Sequence, residues 1–120
     1  MTKMRSFSKA ENELLPKFRK MTNEAESTED VKKFFTYSMQ ELFSHAFAGQ
    51  LELRFEEIGL LPEKEPCFFI SERVRSREDF AEVWQASDLS QIITRFAELA
   101  AGHYKHLEKN PKKTEAKIRM

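Results

Sequence analysis

Cysteine, glycine and proline are all scarce in this chain of 120 residues. Its single cysteine, Cys67, cannot form a disulfide within the chain, which favours a reducing, cytoplasmic setting. Three glycines and four prolines leave few positions for the tight turns of a β-sandwich, so helices are expected instead. No apolar run approaches the length of a membrane span, and no signal-peptide pattern follows Met1. These absences predict a small helical protein with no membrane partner.

An excess of either charge sign is also missing, because 20 lysines and arginines balance 20 aspartates and glutamates. Zero formal net charge argues against bulk attraction to nucleic acid or to an anionic bilayer, although it leaves room for a local basic patch. It also lowers the repulsion between copies of the chain, which favours self-association. The charge balance therefore favours protein partners over nucleic acid.

Phenylalanine is abundant, with 11 copies, and many of them follow one amphipathic pattern over residues 31–58. Apolar residues recur there at steps of three and four, which predicts a single helix that rises about 40 Å. We expect Ser27 to cap this helix and Gly59 to end it. Gly49 lies inside the pattern, so a break into two helices or a strand over residues 50–55 is an alternative. The helical phase continues across Gly49 and favours one continuous helix.

A shorter helix is predicted before the long one, with Pro16 inside its apolar pattern. This helix either opens at Ser8, with Glu11 as a capping-box partner, and bends at the proline, or becomes regular only at Leu15. We prefer the second alternative, because a proline in the first turn of a helix removes no hydrogen bond.

Residues 60–75 form the least regular part of the sequence and are punctuated by Pro62 and Pro66. The short apolar run over residues 67–70 has the composition of a strand, but a lone strand has no mate. We therefore expect an extended segment that packs over the helices. The apolar neighbours of Cys67 predict a buried structural thiol and not a nucleophile.

Two more helices are predicted. A short one is opened by Ser76, and a last one is capped by Ser87 or Asp88 and stopped by Pro111. The predicted fold is all-α, a bundle of about four helices with one long central helix and a proline-punctuated extended loop. The bundle covers residues 1–110, and residues 111–120 are expected to form a basic, disordered C-terminal tail.

The apolar arc of the long helix is wider than one buried face requires, because several apolar residues stand in adjacent pairs. Leu53 lies off the main stripe, where a monomer would more comfortably carry a polar residue. We therefore predict that the far end of this helix forms an interface, either in a homodimer or in an adapter that binds another protein. The predicted anchors are Phe47, Leu51, Leu53, Phe55 and Ile58.

A metal- or ligand-binding bundle is the second function considered. His103 and His106 stand one turn apart on the last helix, and Glu41 and His45 form a carboxylate–imidazole pair on the long helix. Such groups can bind zinc or iron in the core of a bundle. The alternative is a partly buried His103 and a solvated His106 near a helix C-terminus. The Glu-x-x-His spacing of di-iron bundles is missing, and no cofactor is predicted.

A nucleic-acid-binding regulator is the third function considered, because Arg73, Arg75 and Arg77 alternate before the short helix and the C-terminal tail is basic. The tail carries no aromatic residue on which bases could stack, which weakens this hypothesis. The sequence contains no glycine-rich phosphate loop, no Gly-x-Ser-x-Gly turn and no His-Glu-x-x-His motif. It therefore predicts no catalytic residue and does not support an enzyme.

Overall fold

The computed structural model describes residues 6–109, which form five helices and one two-stranded antiparallel sheet. The helices are α1 (Ser8–Glu24), α2 (Thr28–Ala46), α3 (Glu72–Arg75), α4 (Glu78–Ala86) and α5 (Leu89–Lys109). Strands β1 (Ile58–Leu60) and β2 (Phe68–Ile70) lie between α2 and α3, and a 3₁₀ turn, Phe55–Glu57, leads into β1. The predicted helical fold is confirmed, while the predicted tail and the stop at Pro111 lie outside the described residues.

The core forms where α1, α2 and α5 pack against one another. Phe18 of α1 and Phe96 of α5 are fully buried, and the centroids of their rings lie 5.1 Å apart. Phe35 of α2 is also fully buried. Each such side chain contributes roughly 1.5–3 kcal/mol of hydrophobic stabilisation. The three helices are therefore held together mainly by aromatic and aliphatic burial.

Helix α1 begins at Ser8 and continues through Pro16, so the preferred start at Leu15 is wrong. Leu14 before the proline and Phe18 after it are buried, and their packing offsets the hydrogen bond that the proline removes. The predicted capping box is not formed. Buried Glu11 instead accepts hydrogen bonds from the Nε and an Nη of Arg95 on α5, at 2.6 and 2.8 Å, which ties α1 to α5.

Of the two residues predicted as caps of the last helix, Asp88 binds the N-terminal segment with its carboxylate. The oxygens of this carboxylate accept hydrogen bonds from the Phe7 N–H at 2.8 Å and from the Ser6 hydroxyl at 3.0 Å. At the start of α5, the Leu89 N–H donates to the Ser87 hydroxyl oxygen at 3.2 Å. The beginning of the described chain is thus attached to the beginning of α5.

The long helix begins as predicted but is much shorter than predicted. The Ser27 hydroxyl accepts the Asp30 N–H at 3.2 Å and caps α2, which ends at Ala46. Ala48 and Gly49 then adopt the left-handed conformation, with φ of 51° and 77°. Two successive residues in this conformation cannot continue a right-handed helix, so the prediction of one helix over residues 31–58 is wrong.

Beyond Gly49 the chain folds back along α2, and neither a second long helix nor a strand over residues 50–55 forms. Gln40 of α2 donates from Nε2 to the Leu53 carbonyl oxygen at 2.9 Å, which fixes the returning segment. Gly59 does not end a helix but lies in β1, opposite Phe69 of β2. A methyl group at this glycine would overlap the Phe69 ring, so glycine lets this ring lie directly over β1.

The run over residues 67–70 contains a strand that does have a mate, because β1 pairs with β2 through Ile58 opposite Ile70 and Leu60 opposite Phe68. A two-stranded sheet is marginal alone and needs support from other elements. Thr36 of α2 donates its hydroxyl hydrogen to the Ile58 carbonyl oxygen at 3.2 Å. The inward side chains of both strands are buried, so the sheet is held on the helices by packing and by this hydrogen bond.

Candidate protein interface

Four of the five predicted interface anchors belong to the core of a single chain. Phe47, Leu51, Leu53 and Ile58 are all buried, with at most 7% of each residue exposed. They point inward because the segment after α2 folds back over the helices instead of extending away from them. The premise of an uncovered apolar helix end is therefore wrong. Phe55 differs from the other four and is 46% exposed.

The histidines proposed as metal ligands are spread over the helices. His45 on α2 and His106 on α5 are exposed, and His103 is half-buried. Within residues 6–109, no three histidine, cysteine, aspartate or glutamate side chains come close enough together to hold a metal ion. The metal alternative therefore receives no support from this geometry. Glu41 lies instead in a surface groove between α1 and α2.

The three arginines proposed to bind nucleic acid are all engaged within the fold. They donate to the Glu57 carboxylate (Arg73), to the Ile70 carbonyl oxygen (Arg75) and to the Asp79 carboxylate (Arg77). These internal hydrogen bonds give the alternating arginines a structural role that competes with phosphate binding. The part of the basic tail beyond Lys109 lies outside the described residues.

The carboxylate of Glu57 has a strongly lowered pKa. The Arg73 guanidinium binds both of its carboxylate oxygens, at 2.5 and 2.6 Å, and lowers the pKa of Glu57 to about 2 from an ordinary value of 4.5. The Arg54 N–H, at 3.0 Å, and the Ser71 hydroxyl, at 3.1 Å, donate to the same carboxylate. The buried Glu57 carboxylate fixes the 3₁₀ turn, and this turn positions the exposed Phe55.

Two exposed aromatic side chains contact each other on the outer side of α2. Tyr37 is 51% exposed and Phe55 is 46% exposed, and their ring centroids lie 5.6 Å apart. We name this pair the aromatic ledge. Across residues 6–109 only one other large apolar side chain, Phe69, is comparably exposed, and it covers Gly59. Sequence reasoning missed Tyr37, although its position outside the apolar stripe of α2 was an available signal.

A groove of about 450 Å³ lies next to Tyr37, between α1 and α2. Its lining residues are Lys17, Lys20 and Met21 of α1 together with Tyr37, Ser38 and Glu41 of α2. We name it the α1–α2 groove. Met21 is half-buried and its flexible thioether can adapt to a partner surface, while the exposed lysines and Glu41 supply both charge signs. The ledge and the groove together form a surface with an aromatic centre and charged flanks.

A larger cleft, of about 750 Å³, separates residues 62–67 from α5. Its rim mixes acidic and basic side chains and holds none of the three exposed aromatic side chains. Burial raises the pKa of the Cys67 thiol at its wall, and the negative charge of Glu98 adds to this effect. The thiol therefore stays protonated at neutral pH, although Cys67 is half-buried at this wall and not fully buried as predicted. We give the smaller groove more weight because the aromatic ledge adjoins it.

None of the helices within residues 6–109 has both the length and the apolar character needed to cross a membrane. Comparisons of the chain with protein-family models, with curated proteins and with solved structures find no match.

Proposed function

We propose that this protein acts by binding another protein chain over the aromatic ledge and the adjoining α1–α2 groove. The observation that carries the proposal is the contact between Tyr37 and Phe55 at the surface, where about half of each side chain is open to solvent. The chain contains one cysteine, which is free, so it suits a reducing compartment, and we place this binding in the cytoplasm.

The physical case for this surface rests on what aromatic side chains do at interfaces. Tyrosine and phenylalanine bury a large area with only two side-chain torsions to fix, so binding costs them little conformational entropy. Phe55 is also held in place before any partner arrives, because the neighbouring Glu57 is bound to Arg73. Anchors that are already ordered add affinity by lowering the entropic cost of association.

Site-specific photo-crosslinking tests the proposal in the cells that make the protein. The full-length chain carries the photo-crosslinker p-benzoylphenylalanine at position 37, and the matched control carries it at position 82. Glu82 is exposed on α4, which packs against the buried Phe43 and Phe47 rings and not against the ledge. We expect a discrete protein adduct from position 37 that is absent from position 82.

A second variant makes the crosslinking result specific to the ledge. Phe55→Ser in the position-37 protein should abolish the adduct, because half of the aromatic anchor is lost. Equal adducts from positions 37 and 82, or adducts that persist with Phe55→Ser, would contradict the proposal. The mass of the adduct separates the two kinds of partner, since a homodimer gives twice the mass of the chain and an adapter gives a different sum.

A further inference from the structure

We infer that the partner of the aromatic ledge is a second copy of this chain, packed so that the groove lysines of each copy face the groove glutamate of the other. The inference rests on the proposed function and names its partner. It follows from the order in which charge and aromatic surface alternate along the α1–α2 groove.

The order can be derived from the helix geometry. Helices α1 and α2 contact each other and are joined by only three residues, so they run antiparallel from a shared turn. At 1.5 Å per residue, Lys20 and Lys17 lie roughly 6 and 10 Å from that turn, and Glu41 lies about 20 Å from it. Tyr37 lies between them, at roughly 14 Å. Along the groove, the positive charges of Lys17 and Lys20 are therefore followed by the aromatic ring of Tyr37 and then by the negative charge of Glu41.

Such an order makes the surface complementary to itself. In a twofold dimer the same patch serves both copies, so it must match its own rotated image. Rotation about an axis near Tyr37 brings Lys17 and Lys20 of one copy towards the partner's Glu41 and stacks the two ledges at the centre. Zero formal net charge on the chain removes the long-range repulsion that would oppose this pairing.

The three groove charges are also available for such contacts. Ion pairs of the described residues join Arg73 with Glu57, Arg77 with Asp79, and Arg95 with Glu11. Within residues 6–109, Lys17, Lys20 and Glu41 take part in no ion pair. A partner whose surface carries charges of only one sign could pair with only some of the groove charges. A second copy satisfies both parts with its own residues, which is why we favour it over a chain of different sequence.

Charge reversal followed by mixing tests the inference with full-length protein. One variant, Glu41→Lys, makes the groove wholly basic, and a second, Lys17→Glu with Lys20→Glu, makes it wholly acidic. By sedimentation velocity we expect a dimer for the wild-type protein and at least about tenfold weaker self-association for each variant, because like charges then oppose each other. An equimolar mixture of the two variants should form a heterodimer. Wild-type dimerisation should weaken as salt is added.

Two controls separate specific pairing from simple attraction between oppositely charged proteins. Glu82→Lys changes the net charge by the same amount as Glu41→Lys, but it does so on α4. The Glu82→Lys protein should therefore form a homodimer as readily as the wild-type protein does. It should form no heterodimer with the acidic variant. Tyr37→Ser in both groove variants should prevent the heterodimer. Far-ultraviolet circular dichroism confirms that each variant retains its helices.

The outcomes distinguish this inference from the function on which it rests. A wild-type protein that remains monomeric at millimolar concentration would overturn the second copy as the partner. An adduct from position 37 to a different protein would keep the docking surface and remove the homodimer. A wild-type dimer that survives both charge reversals would overturn the proposed charge pairing. Absence of any adduct from position 37 together with a monomeric wild-type protein would overturn both proposals.

Discussion

The two sides of α2 carry the same kind of residue in opposite surroundings. On the inner side, the Phe43 ring lies 5.5 Å from that of Phe47 and 6.2 Å from that of Phe80 on α4. On the outer side, the Tyr37 and Phe55 rings lie 5.6 Å apart. The spacings are alike, yet Phe43 is completely buried while about half of Tyr37 is exposed. Contact between aromatic rings therefore does not by itself identify a core.

What separates the two sides is the element that covers each of them. Helix α4 places Phe80 against the inner rings, and Trp84 extends the same stack at 5.1 Å from Phe80. On the outer side, the described part of the chain leaves Tyr37 and Phe55 about half exposed. The inner cluster can therefore stabilise the fold, whereas the outer pair is available for a partner. Three substitutions test this distinction.

The largest effect is expected in the inner cluster. Phe80→Ala removes a ring that contacts Phe43, Phe47 and Trp84, and it leaves a cavity in the core. We expect the free energy of unfolding in urea to fall by about 3–5 kcal/mol. A loss below about 1 kcal/mol would mean that α4 does not close the inner side of α2.

An intermediate effect is expected at Glu57, which holds the turn beneath the ledge. Its folded pKa of about 2 lies below the ordinary value of 4.5, so the ionised carboxylate stabilises the fold above pH 4.5. This stabilisation is lost progressively as the pH falls from 4.5 towards 2. Because the side chain of Arg73 is 43% exposed, we expect Glu57→Gln to cost only about 1–2 kcal/mol at pH 7.

Unfolding measured in urea from pH 7 to pH 2 checks the sign of this effect. The difference between the wild-type protein and Glu57→Gln should shrink as the medium becomes more acidic. Glu56→Gln, at the exposed neighbouring position, should stay close to the wild-type protein throughout. A difference that grows towards acid would contradict the assignment.

The smallest effect on stability is expected at the ledge. Phe55→Ser removes a ring that is already 46% exposed, so we expect the free energy of unfolding to fall by less than about 1 kcal/mol. Its effect on association should be large by comparison. Thermal unfolding at a concentration too low for assembly provides the measurement. A loss near that of Phe80→Ala would place Phe55 in the core and remove the distinction between the two sides of α2.

Local patterns in the sequence predict several features of the fold correctly. Ser27 caps α2 as its position before an acidic first turn indicates, and the helical spacing after residue 89 corresponds to α5. The pairing of β1 with β2 could not be predicted, because Ile58 belongs to a pattern that also fits a helix. Of the five predicted anchors only Phe55 lies in the candidate site, since the anchors were selected for apolarity and apolarity alone does not show which side chains the chain covers.

The sequence alone determines three properties of this protein: its helical content, the lack of an internal disulfide and the apolar inner face of α2. Local periodicity and composition encode all three. The end of α2, the strand pairing and the exposure of Tyr37 were decided only when distant segments met. Leu51, Phe55 and Ile58 keep helical spacing although the chain between them is not a regular α-helix. Spacing records which residues tend to be buried, and only packing determines the backbone conformation that buries them or leaves them open.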